Sequence, residues 1–224
     1  MVSSALLENA FRQHLYFRTL DDNLRAELVA QVVQRSFASG ETLFIEGGRS
    51  AGLWIVETGS VKVYRTSLEG REHIIRFFGP GDSFNEIPAL DGGPNPVSAE
   101  TLSDVTAWVL PTSALQAAIR SDLTLMQNIV DGLSSRIRML VKQIETLALL
   151  SVPARLAQFL LAQAETSASD EEGITRAAIA AHLATTPETV SRVLRTMEEA
   201  GAIQFDRHRI VIVDENLLRD FAVE

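Results

Sequence analysis

The chain has 224 residues, 46% hydrophobic and 22% charged, enough for one large domain or two ordinary ones with real cores. It has no cysteine, which excludes disulfides, thiolate zinc sites and a cysteine-ligated iron–sulfur cluster, and no apolar run approaches the ~18 residues of a membrane span. The net charge of −9, taken as a whole-chain sum, argues against a phosphate backbone as partner unless arginines collect on one face.

The opening "MVSSALLENAF" lacks a basic stretch followed by a long apolar one, so no secretory leader and a cytoplasmic setting are expected. Residues 5–35 read as helical, with Leu24, Leu28 and Val32 at helical spacing. The texture then changes. Ten of the thirteen glycines lie between Gly40 and Gly93, and four of the seven prolines between Pro80 and Pro96. Between them stand short apolar runs ("TLFI", "LWIV", "VKVY", "HIIRFF") rich in β-branched and aromatic residues. Such punctuation predicts short strands and tight turns, hence a β-sandwich or barrel-like roll over residues 1–111 with flanking helices.

From Thr112 to Val152 there is one glycine and no proline, which predicts a long helix over 112–149. Met126, Val130, Leu133, Ile137, Leu140, Ile144 and Leu147 follow alternating steps of four and three, the seam of a coiled coil. A helix packed only on its own domain would carry a broader apolar stripe, so this seam predicts a homodimer. "SVPARLAQFLLAQA" then starts a new helix, with Ser151 as N-cap and Pro153 in the first turn. Leu149–Val152 is therefore the expected hinge, and "ETSASDEEG" a polar connector inside a third segment, 150–224.

"ITRAAIAAHLATTPETVSRVLRTMEEAGAIQFDRHRIVIVD" carries the strongest signal in the chain. Thr175 can cap a short helix whose Ile179 and Leu183 face inward, and Ala184–Thr186 make a turn. Thr186 can cap a second helix with Pro187 at its first position and Gly201 as its stop. Two short helices joined by so short a turn form a helix-turn-helix, and "IQF" and "IVIV" around "DRHR" add a hairpin wing. In the second helix Val190, Val193, Leu194 and Met197 form the inward stripe, leaving Glu188, Ser191 and Arg192, at i, i+3 and i+4, on the outward face.

Those residue types suit base edges in a major groove. Arginine donates twice to guanine, glutamate accepts from cytosine, and serine bonds several edges. Arg176, Arg195, Arg207, His208 and Arg209, with the hydroxyls of Thr175 and Thr186, stand where phosphates would pass. The acids of this segment (Asp170, Glu171, Glu172, Glu198, Glu199) fall in the connector or toward the far end of the second helix, so a local basic face is compatible with the acidic total.

With these elements in order, nearly the whole chain resembles the cyclic-AMP receptor/fumarate-nitrate regulator (Crp-Fnr) superfamily of bacterial transcription regulators. The resemblance implies an α+β fold of β-roll sensor, dimerisation helix and winged helix-turn-helix. "ETVSR", Glu188 to Arg192, is similar to the E-x-x-S-R signature of the fumarate-nitrate branch, which implies that Glu188, Ser191 and Arg192 read TTGAT-type half-sites. Double-stranded DNA, a second copy of the chain and RNA polymerase are the partners it implies.

The resemblance also marks an effector region, "GPGDSFNEIPALDGGPNPVSAE". Relatives that take cyclic nucleotides carry there a phosphate cassette, G-E-x-x-L followed by Arg-Ser. Glu86 matches its glutamate, but Asn85 replaces the glycine and "GGPNPV" replaces the Arg-Ser region, so no arginine balances the phosphate and Pro94 and Pro96 lack N–H donors. These losses argue against a cyclic nucleotide. Phe84, Asn85, Glu86, Pro94, Asn95 and Val97 are the candidate lining of whatever effector pocket exists. "PNPVSAE" and "QIETLAL" look like the Dnr subgroup, associated with haem-dependent nitric oxide sensing, for which His14 and His73 are the histidines of the sensor half. His182 and His208 have no metal-ligand spacing. An effector-free regulator controlled by its abundance is one alternative, and a cyclic-nucleotide-binding-like regulatory module serving another effector, against which the winged motif weighs, is a second. No nucleophile elbow, Walker loop, HExxH pair or dinucleotide fingerprint marks an enzyme.

Overall fold

The structure, a computed structural model, describes residues 4–165, 174–206 and 209–223. It opens with α1 (Ser4–Gln13) and α2 (Asp22–Val29), followed by β1 (Val33–Phe37), β2 (Thr42–Phe44), β3 (Gly52–Thr58), β4 (Val61–Thr66), β5 (Glu72–Phe78) and β6 (Ser83–Phe84). After α3 (Glu86–Asp91) come β7 (Ser98–Thr101) and β8 (Val105–Pro111), then α4 (Thr112–Ser121) and α5 (Leu123–Leu149). The last part holds α6 (Val152–Glu165), α7 (Arg176–His182), α8 (Pro187–Glu199), β9 (Ile203–Phe205), β10 (Ile210–Ile212) and α9 (Glu215–Phe221). No helix among the described residues is long and apolar enough to cross a membrane.

Two compact units result, Met1–Arg65 with Arg76–Arg138, and Thr66–Ile75 with Met139–Glu224. The roll consists of two four-stranded sheets, ordered β1-β8-β3-β6 and β2-β7-β4-β5. Its central strands serve two cores at once, because successive side chains of a strand point to opposite faces. Leu53 and Ile55 of β3, with Trp108 and Leu110 of β8, pack against the helices, where Phe11, Phe17, Leu28, Leu115, Leu125 and Ile129 complete the cluster. The alternate residues Trp54, Val56, Ala107 and Val109 face between the sheets, against Phe78, Phe84 and Ala99. Each fully buried side chain of this kind stabilises the fold by about 1.5–3 kcal/mol. This two-sided burial makes "GLWIV" a continuous apolar run and not an alternating one.

The sequence-based boundaries need two corrections. The helical reading of 5–35 runs too far, since Val33–Phe37 is a strand paired antiparallel to β8, Val33 opposite Val109 and Phe37 opposite Val105. That pairing joins segments some seventy positions apart, and local spacing carries no trace of it. The helix expected over 112–149 is in fact two. Asp122 breaks it with extended dihedrals (φ −131°, ψ 113°), and its carboxylate accepts from Leu125 N at 2.7 Å, capping α5 afresh.

α5 carries two distinct stripes. Leu125, Ile129 and Gly132 are buried against the roll and α1. Gly132 is needed there by contact, because a Cβ would stand 2.3 Å from Tyr16 Cε1. The other stripe, Met126, Val130, Ile137, Leu140 and Ile144, is exposed, up to 66% at Ile144, and Val141 joins it. Of the seven seam residues, Leu133 and Leu147 do not share this exposure. Leu133 packs partly into its own domain's core, and Leu147 is half-buried.

Candidate nucleic-acid interface

The second unit is built around one cluster, in which Leu156 and Leu160 of α6, Ile179 of α7 and Leu183 just after it, Leu194 and Met197 of α8, and Leu218 of α9 meet. Each helix end is fixed by local chemistry. Thr175 Oγ1 accepts from Ala178 N at 3.1 Å to start α7. The chain leaves α7 through Ala184 in the left-handed region (φ 50°), with Thr185 N donating back to Ala180 O at 3.0 Å. Arg155 of α6 donates to Leu183 O at 2.7 Å and so satisfies a terminal carbonyl that the turn leaves open. Sequence reading missed Arg155, since nothing local marks it.

Thr186 Oγ1 then accepts from Thr189 N at 3.3 Å, and Pro187 occupies the first turn of α8. The helix stops at Gly201 (φ 82°), where Gly201 N donates to Glu198 O and Ala202 N to Met197 O, both at 2.9 Å. Only glycine enters that left-handed position without a Cβ penalty. Because Val190, Val193, Leu194 and Met197 are buried, the helix has one rotational setting, and it presents Glu188, Ser191, Arg192, Arg195 and Glu199 outward. Glu188 and Arg192 are exposed and Ser191 half-buried. Among the described residues, no hydrogen bond or ion pair engages the Glu188 carboxylate or the guanidinium groups of Arg192 and Arg195. The trio expected on one face is brought together there.

Other expectations shift. Arg176 does not stand free for a phosphate: it donates to Asp206 O at 2.7 Å and lies over the Phe205 ring at 5.1 Å, bracing the β9–β10 hairpin. Glu199 shares the outward face of α8 with Arg192 and Arg195, so that face is mixed in charge and not simply basic. Glu198 turns to the hairpin and accepts from Phe205 N at 3.3 Å. Arg209 is exposed, and its backbone N–H and carbonyl close the hairpin end on Asp206. Arg207 and His208, and the connector acids Asp170, Glu171 and Glu172, lie outside the described residues.

The candidate effector lining behaves differently from expectation. Phe84 is a core aromatic, 5.1 Å from Phe78 and 5.9 Å from Trp54 between ring centroids, and Val97 packs against the same cluster. Asn85, in the left-handed region (φ 67°), donates through Nδ2 to Asn95 Oδ1 at 3.0 Å and to Ser50 Oγ at 3.2 Å. Asn95, itself buried, donates to Ile45 O. Pro94 stays exposed. Glu86 is 6% exposed and holds Ser83 Oγ at 2.9 Å and the Arg136 guanidinium of α5. Burial pushes its carboxyl up, and Arg136 opposes that shift. A cyclic nucleotide would need this glutamate free and a cationic partner for its phosphate on "GGPNPV". The residues present do not fit one.

His14 is buried beside Phe17 and Tyr16, and its Nδ1 accepts from Tyr16 N at 3.2 Å, which puts its proton on Nε2. Burial, and then Arg136, lower its pKa to about 4. His73 has the opposite tautomer, since its Nδ1 donates to Ala181 O at 3.0 Å. Of the two proposed haem ligands only His73 therefore keeps a lone pair on Nε2. No group of three or more His, Asp or Glu that could hold a metal ion occurs among the described residues.

Comparison with known proteins matches this architecture segment by segment. Residues 34–122 match the family model of the cyclic nucleotide-binding domain, and residues 154–221 that of the Crp-like helix-turn-helix domain. The chain is 29% identical over 209 residues to the CRP-like cAMP-activated global transcriptional regulator of Mycobacterium tuberculosis, covering 90% of this chain and 93% of that one. It is 28% identical to the cyclic AMP receptor protein of Thermus thermophilus, over 84% of this chain and 88% of that one. Among solved structures, FixK2 of Bradyrhizobium japonicum superimposes with a TM-score of 0.76 at 26% identity, over 85% of this chain and 96% of that one.

Proposed function

We propose that this chain is a DNA-binding transcription regulator of the Crp/Fnr family and acts as a homodimer reading TTGAT-type palindromes through Glu188, Ser191 and Arg192. The observation that carries this reading is the outward trio on the first two turns of α8, fixed by a buried stripe and a capped N-terminus and engaged by no partner among the described residues. A recognition helix reads base edges with its N-terminal residues. Arg192 supplies a bidentate donor for guanine O6 and N7, Glu188 an acceptor for cytosine N4, and Ser191 a hydroxyl for either. Thr186, Arg195 and Arg209 supply phosphate contacts, while Arg176 and Thr175 hold the scaffold.

The exposed stripe Met126, Val130, Ile137, Leu140, Val141 and Ile144 supports dimerisation, because an apolar band of this kind on one helix needs a second surface to cover it. A symmetric pair would then address half-sites about 34 Å apart, one turn of the duplex. A cytoplasmic setting and contact with RNA polymerase follow from the same reading. Two relatives are named for cAMP, but the engaged Glu86 and the prolines of "GGPNPV" argue against that ligand here. The likeness to the Dnr subgroup rests on "PNPVSAE" and "QIETLAL", and its haem would have to use His73. An absorption spectrum after haem-replete expression tests it through the Soret band.

The direct test is fluorescence anisotropy with a TTGAT palindrome and a scrambled duplex of equal length. Selective binding that weakens steeply with salt is expected. Equal affinity for both duplexes would refute the reading.

A further inference from the structure

The inward stripe of α5, Leu125, Ile129 and Gly132, continues by its own step of four to Arg136, where an apolar residue would be expected. This arginine is only a quarter exposed. It forms an ion pair with Glu86, donates to Ser83 O at 2.5 Å and to Ser83 Oγ at 3.2 Å, and lies 6.0 Å from the Phe78 ring. Ser83 Oγ in turn donates to the same Glu86 oxygen, so Arg136, Ser83 and Glu86 close one network. Beside it Asn85, Asn95 and Ser50 close another. The Glu86 carboxylate, Ser83 and the Asn85 amide nitrogen are thus engaged by the protein itself, while Asn85 Oδ1 is buried without a partner, and the group on Glu86 comes from the helix that bears the exposed seam.

We propose that Arg136 is a built-in occupant of the cassette, which fixes α5 to the roll from within and makes DNA binding independent of any ligand at Glu86. The inference rests on the DNA-binding reading above and adds its mode of regulation. A ligand could displace Arg136 only by compensating the buried Glu86 carboxylate that the guanidinium now balances. The pair also sets the rotational phase of the first-unit part of α5 on the roll, because Arg136 and the outward Ile137 are neighbours on it. With Gly132 against Tyr16 and Arg136 on Glu86, the part of α5 that lies in the first unit keeps one setting on the roll whether or not a ligand is supplied. Burial and the nearby Glu86 raise the pKa of Tyr16, and Arg136 opposes that shift.

The test measures binding to the fluorescent TTGAT palindrome and its scrambled control with and without saturating cAMP, for the wild type, Arg136→Ala, Glu86→Gln and the paired Arg136→Met/Glu86→Gln. Circular dichroism and sedimentation accompany each variant. The wild type should bind the palindrome without additive, and cAMP should change its affinity by less than about twofold, below the usual range of coupling between sites. Arg136→Ala should weaken binding by about tenfold, within that range, and the neutral pair should recover part of the loss. Palindrome binding that appears only with cAMP, or a folded, dimeric Arg136→Ala that binds as tightly as the wild type, would overturn the proposal. If Arg136→Ala does not fold, the wild-type response to cAMP decides alone. A wild type that never distinguishes the two duplexes overturns the DNA reading itself, a different result from cAMP dependence.

Discussion

His73 and His182 grip each other's chain: His73 Nδ1 lies 3.0 Å from the carbonyl oxygen of Ala181, and His182 Nδ1 lies 3.0 Å from that of Ile74. A carbonyl can only accept, so both rings carry their proton on Nδ1, and the bonds tie the end of the β4–β5 hairpin to α7 within the second unit. Phe159 covers the His182 ring at 5.5 Å.

This contact has a pH dependence of definite sign. Burial lowers the pKa of His182 from 6.5, the bond to Ile74 opposes that, and His73 adds to the lowering. The fold therefore favours the neutral ring. Its contribution is intact above pH 6.5 and is lost as pH falls from there through the lowered folded value. His14 acts in the same direction in the first unit, and its drop to about 4 corresponds to roughly 3 kcal/mol lost between those limits. Thermal melts at pH 8, 6 and 5 should show Tm constant at first and then falling. His182→Asn, whose amide can still donate, should flatten part of the decline; an unchanged pH profile would contradict the assignment.

Arg192→Ala should cost about 1–3 kcal/mol on the palindrome and little on the scrambled duplex, because it removes a base contact. Arg195→Ala should weaken both alike and lower the salt slope by about one, as loss of a phosphate contact does. Anisotropy titrations at several salt concentrations separate the two. If both variants lose affinity equally on both duplexes, Arg192 is not a base reader.

Ile137→Asp and Leu140→Asp place charge in the exposed seam and should yield folded monomers that no longer bind the palindrome tightly. Sedimentation velocity reads the outcome directly, and an intact dimer in both would remove the seam's role. Leu133→Asp is a different experiment, since Leu133 packs against its own domain's core, and a lowered Tm is expected there.

Gly132→Ala should destabilise the first unit by about 1–3 kcal/mol, the usual cost of overpacking. The added methyl would meet Tyr16 Cε1 at 2.3 Å, and that ring is buried among Phe17, His14 and the helices. A Tm unchanged by calorimetry would mean that the Tyr16 ring moves aside freely.

What the sequence determined by itself is what short-range chemistry controls. The caps at Thr175 and Thr186, Pro187 at the start of α8 and Gly201 at its end each act within one helical turn, so spacing alone reveals them. The outward trio was legible because four buried residues on α8 leave it only one way to turn. The glycine and proline punctuation of the roll was legible for the same reason.

Only the tertiary structure decided which residues meet across long loops. It moved Val33–Arg35 from helix to strand, turned Leu133 inward, broke the 112–149 helix at Asp122, engaged Arg176 on the wing, and set Arg136 on Glu86 and His73 against α7. Those partners stand up to 108 positions apart, and their pairing depends on how whole elements pack, which the periodicity of no single segment encodes.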